Sequence, residues 1–238
     1  MTPDDPWLGA VWPFVRGQLP PAPARVLEVG CGSLGGFVPA LRDEGYQAVG
    51  ADPEAPEGPD YPRVELERYD PPGPVDCVVA SLSLHHVADL DEALDRLRAL
   101  LPPGGVLVVV EWAWERFDDA TARWCFARLT RPAPGVEPGW LRKHQERWAA
   151  SGQPWDAYCQ AWATEAGLHP GEAIVRGLDS RFTRRFYAEG RTSSPSWPPP
   201  ARPRSRRRSK PARSGRAASG MPRDEPNPPS PVVAAHWR

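Results

Sequence analysis

The sequence is poor in several common residue types. Its 238 residues include one isoleucine, Ile174, one asparagine, Asn227, and two lysines, Lys143 and Lys210. These residues are encoded by AT-rich codons, so their scarcity indicates a GC-rich gene. This bias matters below, because out-of-frame translation of GC-rich codons stays open and yields proline, arginine, serine, alanine and glycine.

Cysteine is also scarce, and the spacing of the four cysteines argues against a CxxC site and against a cysteine–histidine metal site. The four cysteines form no CxxC pair and no pattern with histidine that is typical of a metal site. Cys31 lies in a glycine-rich loop and Cys77 in an apolar run, so both are interpreted as small packing residues in a reducing compartment. We therefore predict no metal site.

Long hydrophobic runs are absent. The longest, Val106–Val110 with Trp112 beyond it, is too short to cross a bilayer. Met1–Pro6 is acidic and interrupted by proline, unlike a signal peptide. We expect a cytoplasmic protein without a membrane partner.

The net charge of −1 conceals two differently composed segments. Residues 1–190 contain 18 Lys and Arg against 28 Asp and Glu, whereas residues 191–238 contain 11 against 2. We therefore predict one domain over residues 1–190 and a separate basic segment over residues 191–238.

The domain alternates between short apolar runs and amphipathic stretches. A helix over Pro6–Leu19 precedes the alternation. The predicted strands are Arg25–Val29, Gln47–Ala51, a short Val64–Leu66, Val75–Ser81, Val106–Val110 and a candidate sixth at Glu172–Gly177. The predicted helices between strands are Leu34–Glu44 and Asp89–Leu101. Fully apolar strands are typical of a parallel sheet buried on both faces. The pattern predicts an α/β fold with a doubly wound, mostly parallel sheet and a core over residues 24–112.

A different pattern follows the core. Residues 117–167 favour helix and are rich in tryptophan. We interpret this segment as a helical insertion whose indoles pack a lid, the alternative being an aromatic box for a flat or cationic substrate.

The stretch "VLEVGCGSLGG" contains the glycine pattern of nucleotide-binding loops. Gly30, Gly32 and Gly35 follow a predicted strand, and Asp52 ends the next one. This spacing suits both a nicotinamide dinucleotide and S-adenosyl-L-methionine. Three features favour S-adenosyl-L-methionine. Glu28 places a carboxylate at the strand tip, which repels a pyrophosphate but attracts the ammonium group of a methionine, directly or through water. The other two are the buried strand within Val75–Val87 that ends in small and polar residues, and the Pro-Gly-Gly stop in "LRALLPPGGVLVVVEW".

Four features in order resemble class I S-adenosylmethionine-dependent methyltransferases. They are "EVGCG", the acid at Asp52, "SLHHV" after the fourth predicted strand, and "LPPGG" before the fifth. The resemblance covers about residues 25–112 and implies a Rossmann-like methyltransferase fold with S-adenosyl-L-methionine as cofactor. It implies that Glu28, Gly30 and Gly32 cradle the methionine part, that Asp52 holds the ribose and that Ser81 lines the pocket. The adenine contact falls to Glu67 or Asp70.

The methyl acceptor is not specified by any motif. The acidic domain favours a small molecule over nucleic acid. His85 and Glu111 are the candidate catalytic residues, their alternatives being a packed histidine in a turn and a carboxylate held by its neighbours. Two other functions stay open, namely a non-catalytic cofactor-binding or regulatory protein and an NAD-dependent oxidoreductase.

The segment from Arg191 onward is dominated by proline, serine and arginine, which predicts a disordered C-terminal tail. Three interpretations stay open: a basic arm for nucleic acid or acidic lipid, a solvated tail, and the product of a shifted reading frame. In the shifted reading frame, codons compatible with this sequence can encode an acidic helix followed by an apolar strand. That strand would supply a last strand, which the predicted fold otherwise lacks here.

Overall fold

The computed structural model describes residues 6–129, 139–192 and 230–237. Its strands are β1 (Arg25–Val29), β2 (Gln47–Ala51), β3 (Cys77–Ser81), β4 (Val106–Trp112), β5 (Arg184–Thr192) and β6 (Ser230–Trp237). Its α-helices are α1 (Pro6–Gln18), α2 (Val38–Asp43), α3 (Leu90–Leu100), α4 (Asp119–Ala127), α5 (Trp140–Ser151), α6 (Trp155–Glu165) and α7 (Gly171–Asp179). Short 3-10 helices cover Leu66–Arg68, Leu84–His86 and Trp114–Arg116.

The strands form one sheet in the order β2-β1-β3-β4-β6-β5. The first four are parallel to one another, and β6 is antiparallel to both of its neighbours. The chain leaves β1 toward β2 on one side and reaches β3 on the other. The carboxyl ends of β1 and β3 therefore border the crevice in which this kind of sheet binds ligands. The predicted α/β, mostly parallel fold is confirmed.

The central strands are buried on both faces, which explains their continuous apolar sequence. In β4, Val108 and Val110 pack with α1 and α2, whereas Leu107 and Val109 pack with α3 and α7 on the opposite face. Successive side chains of a strand point to opposite faces, so a strand covered by helices on both sides needs apolar residues at every position.

Helix α3 begins where its sequence predicts. The Asp89 side chain accepts a hydrogen bond from the Glu92 backbone N–H at 3.0 Å, which caps the first turn. Leu94 and Leu97 are buried on one face. The prediction for Asp89–Leu101 is confirmed within one residue at each end.

Helix α2 is shorter than predicted. Residues 34–37 form a turn because Gly35 and Gly36 have φ values of +84° and +54°, in the left-handed region. The helix starts only at Val38, with Pro39 in its first turn, where a missing N–H costs nothing.

Two predicted strands are helical instead. In place of Val64–Leu66 the structure has a 3-10 helix over Leu66–Arg68. Glu172–Gly177 belongs to α7, whose Ile174 and Leu178 are buried four residues apart on one face. A short apolar run fits both strand and helix, and here packing of α7 on α3 decides for helix.

The insertion after β4 is helical, as its sequence predicts, and comprises α4, α5 and α6. Residues 130–138, between α4 and α5, lie outside the described residues. No helix in the described ranges is long and apolar enough to cross a membrane.

The last two strands were not predicted. Strand β5 lies at the edge of the sheet and alternates only weakly, so its sequence gives little strand signal. The predicted tail falls mainly on residues 193–229, which lie outside the described residues. At its end the structure differs from the prediction, because Ser230–Trp237 forms β6 between β4 and β5, with Ala235 and Trp237 completely buried.

Candidate functional site

A cavity of about 630 Å³ opens at the carboxyl ends of β1 and β2. Residues 64–68 and the segment between β3 and α3 form its other walls. Its volume is in the range of small-molecule sites, and its position is the crevice that the strand order predicts.

The glycine loop forms one wall of this cavity. Gly30 has a φ of +78°, and its N–H donates to the Ala51 carbonyl at 2.9 Å. A Cβ on Gly30 would lie 2.2 Å from the Cβ of Ser83, so only glycine lets the ends of β1 and β3 come this close. A Cβ on Gly32 would meet no atom within 4 Å, which leaves its backbone open to a ligand.

Asp52 lines the cavity and also holds the glycine loop. Its carboxylate accepts the Gly32 N–H at 2.9 Å and the Glu54 N–H at 2.7 Å. The acid at the end of β2 thus stands where the sequence predicts, beside the open backbone of Gly32.

Glu28 lies beneath the loop and is not among the cavity-lining residues. It is 1% exposed, and its Oε2 accepts the Phe37 N–H at 2.7 Å. A Cβ on Gly36 would lie 2.2 Å from Oε1 of Glu28, so this glycine makes room for the carboxyl group. Burial raises the pKa of Glu28 to about 8, so its surroundings favour the uncharged form of the carboxyl group.

Ser81 also lies off the cavity. It is buried at the end of β3, and the serine on the cavity wall is Ser83. Ser83 Oγ is buried and has no hydrogen-bond partner within the described part of the chain. Sequence reasoning missed Ser83 because the chain turns sharply at Leu82, whose φ of +54° is rare for a leucine.

Glu111 holds this turn in place from the neighbouring strand. Its Oε1 accepts the N–H groups of Ser83 at 2.7 Å and of Leu84 at 3.0 Å. Its Oε2 lies 2.6 Å from Nδ1 of His85. Because a carboxylate only accepts hydrogen bonds, Nδ1 carries the hydrogen in this contact.

The two candidate catalytic residues are therefore brought together, although neither lines the cavity. Glu111 is 1% and His85 4% exposed. The histidine on the cavity wall is His86, whose ring centroid lies 4.1 Å from that of His85.

The two residues predicted to contact adenine, Glu67 and Asp70, differ in their position relative to the cavity. Glu67, in the 3-10 helix, lines the cavity. Asp70 does not, and its exposed carboxylate accepts from Nη2 of Arg96 at 3.2 Å. Only Glu67 is placed to reach a ligand in this cavity.

The tryptophans of the insertion pack against one another. The rings of Trp112, Trp140 and Trp162 lie 5.5–5.7 Å apart in pairs. His144 is buried beside Trp140 and Trp162, and its Nδ1 lies 2.8 Å from the Tyr158 hydroxyl. Burial lowers the pKa of His144 to about 4. This aromatic cluster forms the core of the insertion, as the packing interpretation predicts.

A second cavity, of about 620 Å³, lies between α4 and α5 and is lined by Arg123, Phe126 and Trp148 among others. It shares no lining residue with the cavity at the glycine loop. Within the described ranges, no three His, Cys, Asp or Glu side chains gather as a metal site would require.

The fold is Rossmann-like, and the cavity lies at the strand ends where such folds bind nucleosides. Open backbone at Gly32, a carboxylate at Asp52 and an unpartnered hydroxyl at Ser83 suit a ligand with ribose hydroxyls and polar ends. Comparison with known proteins assigns the family.

A family model described as "Methyltransferase domain" matches residues 13–159. The chain therefore belongs to the class I S-adenosylmethionine-dependent methyltransferase family, whose members use S-adenosyl-L-methionine. The resemblance and the cofactor expected from the sequence are confirmed at the level of the family.

Curated relatives include the ubiquinone biosynthesis O-methyltransferase of Rhodopseudomonas palustris (strain TIE-1), 33% identical in a 144-residue alignment that covers 52% of this chain and 56% of that protein. The enzyme of the same name from Bradyrhizobium sp. (strain ORS 278) is 34% identical in a 98-residue alignment that covers 36% of this chain and 38% of that protein. The chain thus spans about half the length of the curated relatives that it matches.

Solved structures share the fold. An S-adenosylmethionine-dependent methyltransferase from Mesorhizobium loti aligns with a TM-score of 0.54 at 20% identity, covering 96% of this chain and 98% of that one. The N-methyltransferase NodS from Bradyrhizobium japonicum WM9, in complex with S-adenosyl-L-homocysteine, aligns with a TM-score of 0.53 at 15% identity, covering 99% and 88%.

Proposed function

We propose that this protein transfers a methyl group from S-adenosyl-L-methionine to a small-molecule acceptor. The observation that carries the proposal is the cavity in which the open backbone of Gly32 and the carboxylate of Asp52 lie side by side. The family supports the same cofactor.

Different cavity-lining residues contact different parts of the cofactor in this proposal. Gly30 and Gly32 bring backbone close to the methionine part, and Asp52 accepts hydrogen bonds from the ribose hydroxyls. Glu67 takes the adenine side. Glu28 supports the loop from below through Phe37, so we assign it a positioning role.

Orientation is the main catalytic contribution that we assign to the chain. When bound, the cofactor supplies a methyl group on a positively charged sulfur, which a correctly aligned nucleophile can attack directly. Alignment alone lowers such barriers by several kcal/mol, about 7–11 kcal/mol in the most favourable cases. We assign Glu111 and His85 to positioning of the cavity wall, because both oxygens of Glu111 are engaged and both side chains are buried.

For the acceptor atom we propose a hydroxyl oxygen. The supporting observation is that the curated relatives with the longest matches are named O-methyltransferases. Small hydroxylated compounds are the first acceptors to test, with amines as the comparison.

The test is calorimetric titration of the full chain with S-adenosyl-L-homocysteine and, separately, NAD. We expect only the first to bind, and Asp52→Ala to weaken it about tenfold to a hundredfold, since hydrogen bonds to a charged group contribute about 1.5–3 kcal/mol. Asp70→Ala is the matched control, because Asp70 does not line the cavity. At about a hundred times its Kd, the ligand stabilises the fold by about 2.7 kcal/mol.

Three outcomes discriminate the functions. Binding of NAD alone would overturn the proposal in favour of an oxidoreductase. Binding of S-adenosyl-L-homocysteine without methylation of any acceptor would support the non-catalytic alternative. Formation of S-adenosyl-L-homocysteine from S-adenosyl-L-methionine with a hydroxylated acceptor, and its loss in Asp52→Ala, would establish the enzyme.

A further inference from the structure

The cavity wall between β3 and α3 has two parts. Glu111 binds the first part, from Ser83 to His85, through both of its carboxylate oxygens. The second part, residues 86–88, also lines the cavity. Residues 87 and 88 belong to neither a helix nor a strand, so no regular ladder of hydrogen bonds fixes their backbone. Their position depends on contacts from elsewhere in the fold.

His169, in the connection between α6 and α7, supplies such contacts. Its backbone N–H donates to the His85 carbonyl at 3.0 Å. Its Nε2 lies 2.9 Å from the Val87 carbonyl oxygen. Because a carbonyl oxygen only accepts hydrogen bonds, Nε2 carries the hydrogen in this contact. One residue thus binds the carbonyls on both sides of His86, which lies on the cavity wall.

His169 is itself anchored to the insertion. Its carbonyl oxygen accepts the Trp114 Nε1–H at 3.2 Å. The preceding residue, Leu168, is buried with Trp114 in the aromatic core of the insertion. Two residues further on, the Gly171 N–H donates to the Glu115 carboxylate at 3.0 Å. The imidazole therefore extends toward the cavity wall from a backbone that is fixed on both sides.

We propose that His169 is a positioning residue of the ligand site, whose imidazole keeps residues 86–88 in the place that suits the bound ligand. The identity of that ligand rests on the proposed function. His169 does not line the cavity, so it acts through the Val87 backbone, 82 residues earlier in the chain. No motif in the sequence marks this contact.

His169→Ala removes the imidazole and keeps the backbone N–H that binds His85. The wall should then occupy its binding position for a smaller fraction of the time, and the apparent affinity falls with that fraction. A lost neutral hydrogen bond corresponds to about a threefold to tenfold change in an equilibrium constant. We expect calorimetry to show a rise of this size in the Kd of S-adenosyl-L-homocysteine.

His169→Gln is the variant that should restore binding. The glutamine amide nitrogen lies as many bonds from the backbone as Nε2 of histidine and can donate to the same Val87 carbonyl. Its Kd should return to near the native value. Glu172→Gln is the matched control, because this exposed side chain at the start of α7 binds Arg176 and should leave the Kd unchanged. Urea unfolding verifies that each variant is folded.

Hydrogen exchange tests the positioning without any ligand. Amide exchange in residues 83–89 of the unliganded protein reports how often this wall opens. Exchange there should be faster in His169→Ala than in the native protein and slow again in His169→Gln. This arm of the test does not depend on the identity of the ligand.

The outcomes separate this inference from the proposed function. If S-adenosyl-L-homocysteine binds to none of the proteins, the proposed function is wrong and hydrogen exchange alone decides the role of His169. An unchanged Kd in His169→Ala would overturn the positioning role, whatever the exchange rates. A defect that His169→Gln does not restore would show that the imidazole only fills space. An equal defect in Glu172→Gln would trace the effect to α7 and contradict the role of the Val87 contact.

Discussion

At the residue scale, Glu111 is the side chain on which the cavity wall depends most. One buried carboxylate accepts two backbone N–H groups and faces one imidazole nitrogen. It holds a turn in which Leu82 has a left-handed conformation. Such a conformation is costly for leucine and persists only where its surroundings impose it.

Glu111→Gln should keep the fold but loosen this wall. The amide oxygen can still accept from Ser83 and Leu84, whereas the amide NH2 donates to Nδ1 of His85 and reverses its tautomer. We expect a loss of about 1–3 kcal/mol in the free energy of unfolding and weaker binding of S-adenosyl-L-homocysteine. Urea unfolding and calorimetry measure these changes.

Nitrogen chemical shifts of His85 provide the discriminating readout. The tautomer should change in Glu111→Gln and stay unchanged in Glu57→Gln, an exposed control. An unchanged tautomer together with unchanged binding would show that Glu111 does not position this turn.

The raised pKa of Glu28 should make the free energy of unfolding depend on pH. Its pKa is about 8 in the folded protein and 4.5 without burial. Between these values the folded state keeps a proton that the unfolded state has lost, so the free energy of unfolding falls as the pH rises. The maximum slope from one group is about 1.4 kcal/mol per pH unit.

Glu28→Gln removes this titration and keeps an acceptor for the Phe37 N–H. Urea unfolding from about pH 5 to about pH 8 should show the variant gaining stability relative to the native protein as the pH rises. Parallel curves for the two proteins would contradict the raised pKa.

At the element scale, β6 completes the sheet. It covers the edge of β4 and gives β5 its hydrogen-bonding partner. The Trp237 ring is completely buried, and its Nε1 donates to the Asp179 carboxylate at 3.0 Å. The strand therefore connects the end of the chain to α7.

Trp237→Ala should destabilise the fold by about 3–5 kcal/mol, as expected for truncation of a buried tryptophan. The change is measured by urea unfolding. Leu34→Ala is the control, because Leu34 is 61% exposed and its truncation should cost less than about 0.5 kcal/mol. Unchanged stability in Trp237→Ala would contradict the placement of β6 and favour the shifted reading frame for residues 191–238.

The errors in element prediction have a common cause. For α7 and β5 the local sequence is compatible with more than one structure, and distant contacts decide between them. The Glu115 carboxylate accepts the N–H groups of Gly171 and Glu172 at 3.0 Å each and thereby caps α7 from 56 residues away. No local periodicity contains that information.

At the scale of the whole molecule, two sets of helices enclose a sheet whose main cavity lies at the carboxyl ends of its parallel strands. The insertion that follows β4 has a core of its own, built from aromatic rings. The two layers that flank the sheet have separate clusters of buried side chains. Strand order alone brings Gly30, Asp52 and Ser83 to the same edge.

Features that depend only on neighbouring residues are predictable from the sequence. These are the apolar runs of the buried strands, the capped helix α3, the glycine loop and the acid at Asp52, and with them the family and its cofactor. Such features are predictable because apolar periodicity, capping and glycine conformation act over a few residues.

Packing between distant segments fixes which of the candidate residues line the cavity. It placed Glu28 and Ser81 inside the protein, Ser83 and Glu67 on the cavity wall, and Glu111 against a turn 28 residues earlier in the chain. It also inserts Ser230–Trp237 into the sheet as β6, between β4 and the edge strand β5. Burial, strand order and long-range hydrogen bonds arise when distant segments pack, and for that reason they are absent from any local pattern of residues.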